Sequence, residues 1–104
     1  MEKTFDRQAL YELLLCIPRG KVVTYGDLAQ MMGDRNWARA VGNALHQNPD
    51  GEKYPCYRVV NSRGELAESF VFGGCDEQKR RLEKEGIEVV GNKLDLEKYR
   101  MKMW

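Results

Sequence analysis

Hydrophobic positions in the first half of the chain recur at helical spacing. Phe5, Ala9, Tyr11, Leu13, Leu14 and Ile17 fall largely on one face, which predicts an amphipathic helix over residues 4–17. Thr4 is its expected N-cap, since a threonine oxygen can accept from the free amides of a first turn. Pro18-Arg19-Gly20 ends it. Lys21-Val22-Val23 reads as a short extended piece. A second helix is expected from Thr24, with Asp27 three residues on as a variant capping box and Leu28, Ala29 and Met32 turned inward. Gly33-Asp34-Arg35 makes the turn. A third helix, capped by Asn36, runs to about residue 47 and stops at Asn48-Pro49-Asp50-Gly51. Trp37, Val41, Ala44 and Leu45 are its inward stripe.

The period then changes. Residues 56–60 and 65–67 read as short strands joined through Asn61-Ser62-Arg63-Gly64, a hairpin or wing. Phe70-Val71-Phe72-Gly73-Gly74 is apolar and then flexible, a loop suited to cover a pocket. Asp76 is the predicted cap of a fourth helix over 77–85, whose charges alternate in sign as on a solvated face, and Gly86 ends it. Residues 87–90 read as a strand, Gly91-Asn92 as a turn, and 95–104 as a tail carrying Tyr99 and Trp104. Two short helices around a glycine turn, followed by a wing, give an α+β, mainly helical fold of winged helix-turn-helix type. An ordinary helical hairpin is the alternative for the helix pair.

Composition narrows the class. At 104 residues, 42% hydrophobic and 32% charged, the chain fits one soluble domain spanning 1–104. No apolar run reaches membrane-spanning length and the first residues lack a signal peptide's apolar stretch, so no membrane partner is expected. Cys16, Cys56 and Cys75 are odd in number and form no Cys-x-x-Cys pair, and His46 is the sole histidine. That suggests neither a disulfide framework nor a zinc site, and a reducing, cytoplasmic compartment is expected. Net charge is +1, divided as +2 over residues 1–63 and −1 over 64–104. Only a local basic face would serve nucleic acid. A monomer is the default.

Two stretches carry candidate chemistry. In Tyr54-Pro55-Cys56-Tyr57-Arg58-Val59-Val60, Pro55 fixes its own φ and biases Tyr54 towards an extended backbone, so Cys56 sits on a stiff turn feeding a strand. A cation beside it, Arg58, is expected to favour the nucleophilic thiolate. The competing reading is a small buried hydrophobe. On the third helix Arg35, Arg39, Asn43 and His46 share a face, and Ala38, Ala40 and Gly42 keep the surface low. Gly42 costs about 1 kcal/mol in a helix interior, which implies a packing or close-approach reason. Such a face suits a nucleic-acid groove; a solvated surface is the alternative.

Ile17-Pro18-Arg19-Gly20-Lys21-Val22-Val23-Thr24-Tyr25-Gly26, Ala38-Arg39-Ala40-Val41-Gly42, Asn48-Pro49, Pro55-Cys56-Tyr57-Arg58-Val59-Val60 and Glu85-Gly86 follow one another in order. Over residues 5–90 they resemble the DNA-binding domain of the 6-O-alkylguanine-DNA alkyltransferases. A single domain without the N-terminal ribonuclease-H-like domain of full-length alkyltransferases is expected, and the wing and tail look more like the alkyltransferase-like proteins. Those bind alkylated guanine without repairing it and have tryptophan in place of the cysteine.

The resemblance implies a third helix in the minor groove of double-stranded DNA, with Ala38, Ala40 and Gly42 allowing close contact and Asn43 on the same side. It makes Arg39 the finger that fills the gap left by a flipped nucleotide, and Tyr25 the residue that crowds its phosphate and bonds the base. Flipping costs least for a damaged base. Asn48 would brace the turn, Val59 would wall the pocket, and Pro55, Arg58 and Ser62 would complete the lesion- and DNA-contacting set. Cys56 would accept the alkyl group once per molecule, without cofactor or metal.

Two departures bear on that chemistry. The family's relay histidine after the cysteine is Tyr57 here, although its glutamate is kept as Glu85, and tyrosine is a poor base near neutrality. The loop arginine that contacts the lesion in alkyltransferase-like proteins has no counterpart in residues 65–74. Three readings follow: an attenuated methylated-DNA cysteine methyltransferase, a non-catalytic damage sensor that hands lesions to nucleotide-excision repair proteins, and a generic winged-helix DNA-binding protein.

Overall fold

A computed structural model describes residues 5–67 and 70–102. Helix α1, Arg7–Leu14, starts where the Asp6 carboxylate accepts from the backbone N–H groups of Gln8 and Ala9 at 3.0 and 3.3 Å. Asp6 is therefore the cap in place of Thr4, which lies outside the described residues. The helix also stops at Leu14 and not at residue 17, although Ile17 stays buried.

Strand β1, Val23–Thr24, leads into helix α2, Tyr25–Met31. The expected capping box is present: the Asp27 N–H donates to the Thr24 hydroxyl oxygen and the Thr24 N–H donates to the Asp27 carboxylate, each at 3.0 Å. After the turn the chain makes a short 3-10 turn, Arg35–Trp37, before helix α3, Ala38–His46. Asp34, two residues before the expected cap Asn36, caps the 3-10 turn by accepting from the Asn36 N–H at 2.9 Å, and α3 itself follows Trp37 with no side-chain cap. Asn36 is a recipient of that bond. The Tyr11 hydroxyl donates to the Ala44 carbonyl at 2.8 Å and ties α1 to the end of α3.

Strand β2, Val59–Val60, runs parallel to β1, with Val23 opposite Val59 and Thr24 opposite Val60. Where the sequence predicts a hairpin or wing over residues 56–67, the chain makes the wing: the Asn61 N–H donates to the Glu65 carbonyl at 3.1 Å, and the Asn61 side-chain oxygen accepts from the N–H groups of Arg63 and Glu65, both at 2.9 Å. Gly64 sits there at φ +81°, and a Cβ would stand 2.4 Å from the Leu94 carbonyl oxygen. The wing's return arm pairs with Lys93 through Glu65, and the Leu66 N–H donates to the Asn92 carbonyl at 2.8 Å.

Helix α4, Gly74–Lys84, begins earlier than expected. Gly73, at φ +128°, precedes it, and Asp76 lies inside the first turn and is not the cap. Gly86, at φ +84°, ends it as the pattern requires. Residues 87–90 make only an isolated bridge, Val90 to Lys93, in place of the predicted strand. The tail contains a short helix α5, Leu96–Tyr99. It then turns extended, so that Val22 donates to the Tyr99 carbonyl at 2.9 Å and accepts from the Met101 N–H at 2.8 Å. Trp104 lies outside the described residues.

Alternation along the two strands divides the interior. Val23 and Val59 join Leu10, Leu14, Leu28, Val41 and Leu45 in one core, while Val22 and Val60 join Leu66, Leu82, Ile87 and Leu94 in another. Successive strand residues point to opposite faces, so four valines make a partition between two cores. Cys56 belongs to the first core, at the edge of that partition.

Candidate functional site

Cys56 opens the 3-10 turn Cys56–Arg58 directly after buried Pro55. Its N–H donates to the Tyr54 carbonyl at 2.7 Å, and the Asn48 side-chain amide donates to the same carbonyl at 2.9 Å. The Asn48 oxygen accepts from the Asp50 N–H at 3.0 Å, so one buried asparagine ties the end of α3 to the cysteine turn. This is the bracing position expected of it.

The thiol lies 5% exposed at the base of a cleft of about 60 Å3. Tyr25 from α2, Gly42 and His46 from α3, Val59 from β2 and Phe70 with Val71 from the following loop form its walls. Burial pushes the Cys56 pKa up, against hydrogen bonding by Asn48 and the charge of Arg81, which draw it down. Cys56 is therefore held as the neutral thiol. The expectation that Arg58 would favour the thiolate is overturned, because Arg58 is engaged elsewhere.

Its Nη2 lies 2.7 Å from Glu85 Oε2, its Nε donates to both Glu85 oxygens at 3.0 and 3.1 Å, and its Nη1 donates to the Ile17 carbonyl at 2.7 Å. The structure thus gives Arg58 an internal role that ties the cysteine turn to Glu85 and to the end of the first helical segment. Glu85 also accepts from the Gly20 N–H at 2.9 Å and from the Tyr57 hydroxyl. Burial alone would raise the Glu85 pKa, but bonds from Arg58, Gly20 and Tyr57 outweigh it and hold the carboxyl below its usual range. Tyr57 moves the other way, raised by burial and by its bond to Glu85 against the nearby Arg58 charge. Tyr57 thus donates to an ionised partner and has no capacity to take a proton.

The remaining predicted residues cluster on and beside α3. Arg39 and Asn43 are exposed, and neither makes a hydrogen bond or ion pair among the described residues. Ala38 and Ala40 are half-buried between them. A Cβ at Gly42 would meet nothing within 4 Å, so internal packing does not require the glycine; it leaves open space where it lines the cleft. Ser62 is exposed on the wing.

Two residues near the cleft escape sequence reasoning. Gln78 is fully buried on α4, where its amide donates to the Tyr57 and Val59 carbonyls at 3.1 Å and its oxygen accepts from the Ala67 N–H at 2.9 Å. It locks the turn, the strand and the wing's return arm together against one wall of the cleft. Arg81, one turn further along α4, is the cation whose charge reaches Cys56. Both sit in a segment whose alternating charges read as a solvated face, and neither carries a local signal of burial.

The fold is a helix-turn-helix with a wing, and α3 carries an arginine that is unpaired among the described residues beside a deep thiol. The chain matches the family model of the 6-O-methylguanine DNA methyltransferase DNA-binding domain over residues 6–87, and it belongs to that family. It is 45% identical over 93 residues to a DNA base-flipping protein of Vibrio parahaemolyticus, covering 88% of this chain and 90% of that one. It is 48% identical over 91 residues to a bifunctional methyltransferase/endonuclease of Picrophilus torridus, which covers 88% of this chain but only 30% of the relative. Among solved structures, S. pombe Atl1 in complex with damaged DNA containing O6-carboxymethylguanine superposes with TM-score 0.84 at 37% identity, covering 92% and 94% of the two chains.

Proposed function

We propose that the chain binds double-stranded DNA through α3 in the minor groove and flips 6-O-alkylguanine into the Cys56 cleft for repair. The observation that carries this reading is the cleft itself: Cys56, Tyr25 and Val59 converge beneath the open space at Gly42, on the helix that presents unpaired Arg39. Arg39 fills the stack where the base has left, and Tyr25 and Asn43 contact the flipped nucleotide and its strand. The domain acts as one unit over residues 1–104, as a monomer, in the cytoplasm. It passes lesions to nucleotide-excision repair proteins.

Recognition outpaces chemistry in this reading. Transfer would form a bond from Cys56 Sγ to the alkyl carbon as the carbon–O6 bond breaks, leaving guanine and a thioether, and the thiol proton must leave first. Cys56 is held neutral and Tyr57 accepts no proton, so transfer is slow. The test is intact-protein mass after incubation with a duplex carrying O6-methylguanine, with Cys56→Ser as control and binding measured in the same sample. Lesion-selective binding with a mass gain of one methyl appearing only over long incubation is the expected result. A rapid, complete gain makes the chain an efficient methyltransferase, and no preference for the lesion leaves a generic winged-helix protein.

A further inference from the structure

Arg81 occupies a site built for a cation beside the cleft. Its guanidinium carbon lies 5.6 Å from the centre of the Phe70 ring, 5.7 Å from Phe72 and 5.8 Å from Tyr57. Aromatic faces carry negative potential, so three rings at this range favour the charge. Arg81 Nε also donates to Glu77 Oε2 at 2.9 Å, but the same carboxylate takes two bonds from Arg80, at 2.6 and 2.8 Å. One anion thus faces two guanidinium groups, and the cluster keeps a net positive charge. Phe70 is both a ring of this cage and a wall of the Cys56 cleft, which places the cation directly behind that wall.

Against the larger upward push of burial, the Arg81 charge from there draws the Cys56 pKa down. The described polar groups lining the cleft are Tyr25, His46, Cys56 and Gln78, and none is a carboxylate. Resting on the lesion-binding reading above, we propose that Arg81 makes the cleft prefer guanines whose O6 substituent ends in an anion over those with a neutral substituent of the same size. The neutral Cys56 thiol offers such an anion no opposing charge. A single partly screened charge at this range corresponds to roughly five- to tenfold in affinity.

The experiment compares two duplexes differing only in charge at the lesion, O6-carboxymethylguanine and O6-carbamoylmethylguanine, with an undamaged duplex as reference. The chain should bind the carboxymethyl duplex about five- to tenfold more tightly than its neutral twin. Arg81→Lys should keep most of that ratio, Glu77→Gln should raise it, and Arg81→Met should bring it to about one with carbamoylmethyl affinity retained. A wild-type ratio near one, or a ratio the same in Arg81→Met, overturns the proposal. If neither lesion is bound above undamaged DNA, the lesion-binding reading fails by itself. The cleft's charge is then read from Cys56 alkylation by iodoacetate against iodoacetamide, with peptide mapping to separate Cys16 and Cys75. In both, the sulfur–carbon bond forms as iodide leaves and the thiol proton passes to solvent. Arg81→Met must shift the rate ratio towards the neutral reagent, and an unchanged ratio overturns the proposal.

Discussion

The Tyr57 hydroxyl donates to a carboxylate that Arg58 and the Gly20 N–H already hold ionised. A histidine at the same position would stand against the same Glu85 with an imidazole that titrates near neutrality. Tyr57→His should therefore speed methyl transfer to Cys56 by about a hundredfold. The rate should rise with pH as the imidazole loses its proton, where the parent shows little dependence over that range. Single-turnover mass measurements across pH decide it; a folded variant with an unchanged rate means proton removal does not limit transfer. The substitution at Tyr57 was legible in the sequence because its neighbours Pro55, Cys56 and Val59 fix the register. The engagement of Arg58 was not, because its partner Glu85 lies 27 residues away and adjacency to Cys56 suggested a different one.

Helix α3 shows how an element serves two demands. Its inward stripe, Val41, Ala44 and Leu45, is what periodicity reads most directly, and all three are buried. Gly42 weakens the helix without relieving any internal clash. Gly42→Ala should stabilise the free protein by up to about 1 kcal/mol, the difference in helix propensity, while weakening lesion binding by about tenfold as the methyl enters the space used by the base. Thermal melts and duplex titration of the same variant separate the two effects. Loss of stability sinks the account of Gly42, and so does undiminished lesion affinity. The first four helices are legible in the pattern, the short α5 in the tail is not, and three caps fall at other residues than the pattern suggests. At the second and third of these, Asp34 preceded Asn36, and the glycine pair Gly73-Gly74 turned the chain before Asp76. Strand partners were less legible still, since alternation tells which way valines point and not which strand they meet.

At the scale of the whole molecule, two mostly buried carboxylates clamp distant segments. Asp27, within the α2 capping box, is also paired with Arg100 of the tail, and Glu85 gathers Gly20, Tyr57 and Arg58. Burial would raise the Asp27 pKa, but bonds from Arg100 and Thr24 hold it below its ordinary 3.8, and Glu85 is held below 4.5. Because both folded values are depressed, their stabilisation is fully present above the ordinary values and is lost as pH falls through the native ones. Melting temperature should thus drop as pH falls below about 4.5, and the drop should be shallower in Glu85→Gln. Melts from neutral pH into the acid range check this; an equally steep fall in the variant removes Glu85 from the cause.

The strand pairing sets a timetable for biosynthesis. Val22 takes its backbone partners from Tyr99 and Met101, so the segment leading into α2 waits for the far end of the tail. Helices α1 to α3 can emerge and meet while translation continues, since their contacts are local. The backbone pairing of Val22 closes only after residue 101 has left the ribosome. Until then a nascent chain has its first three helices without the tail that holds Val22 from the far end of the sequence.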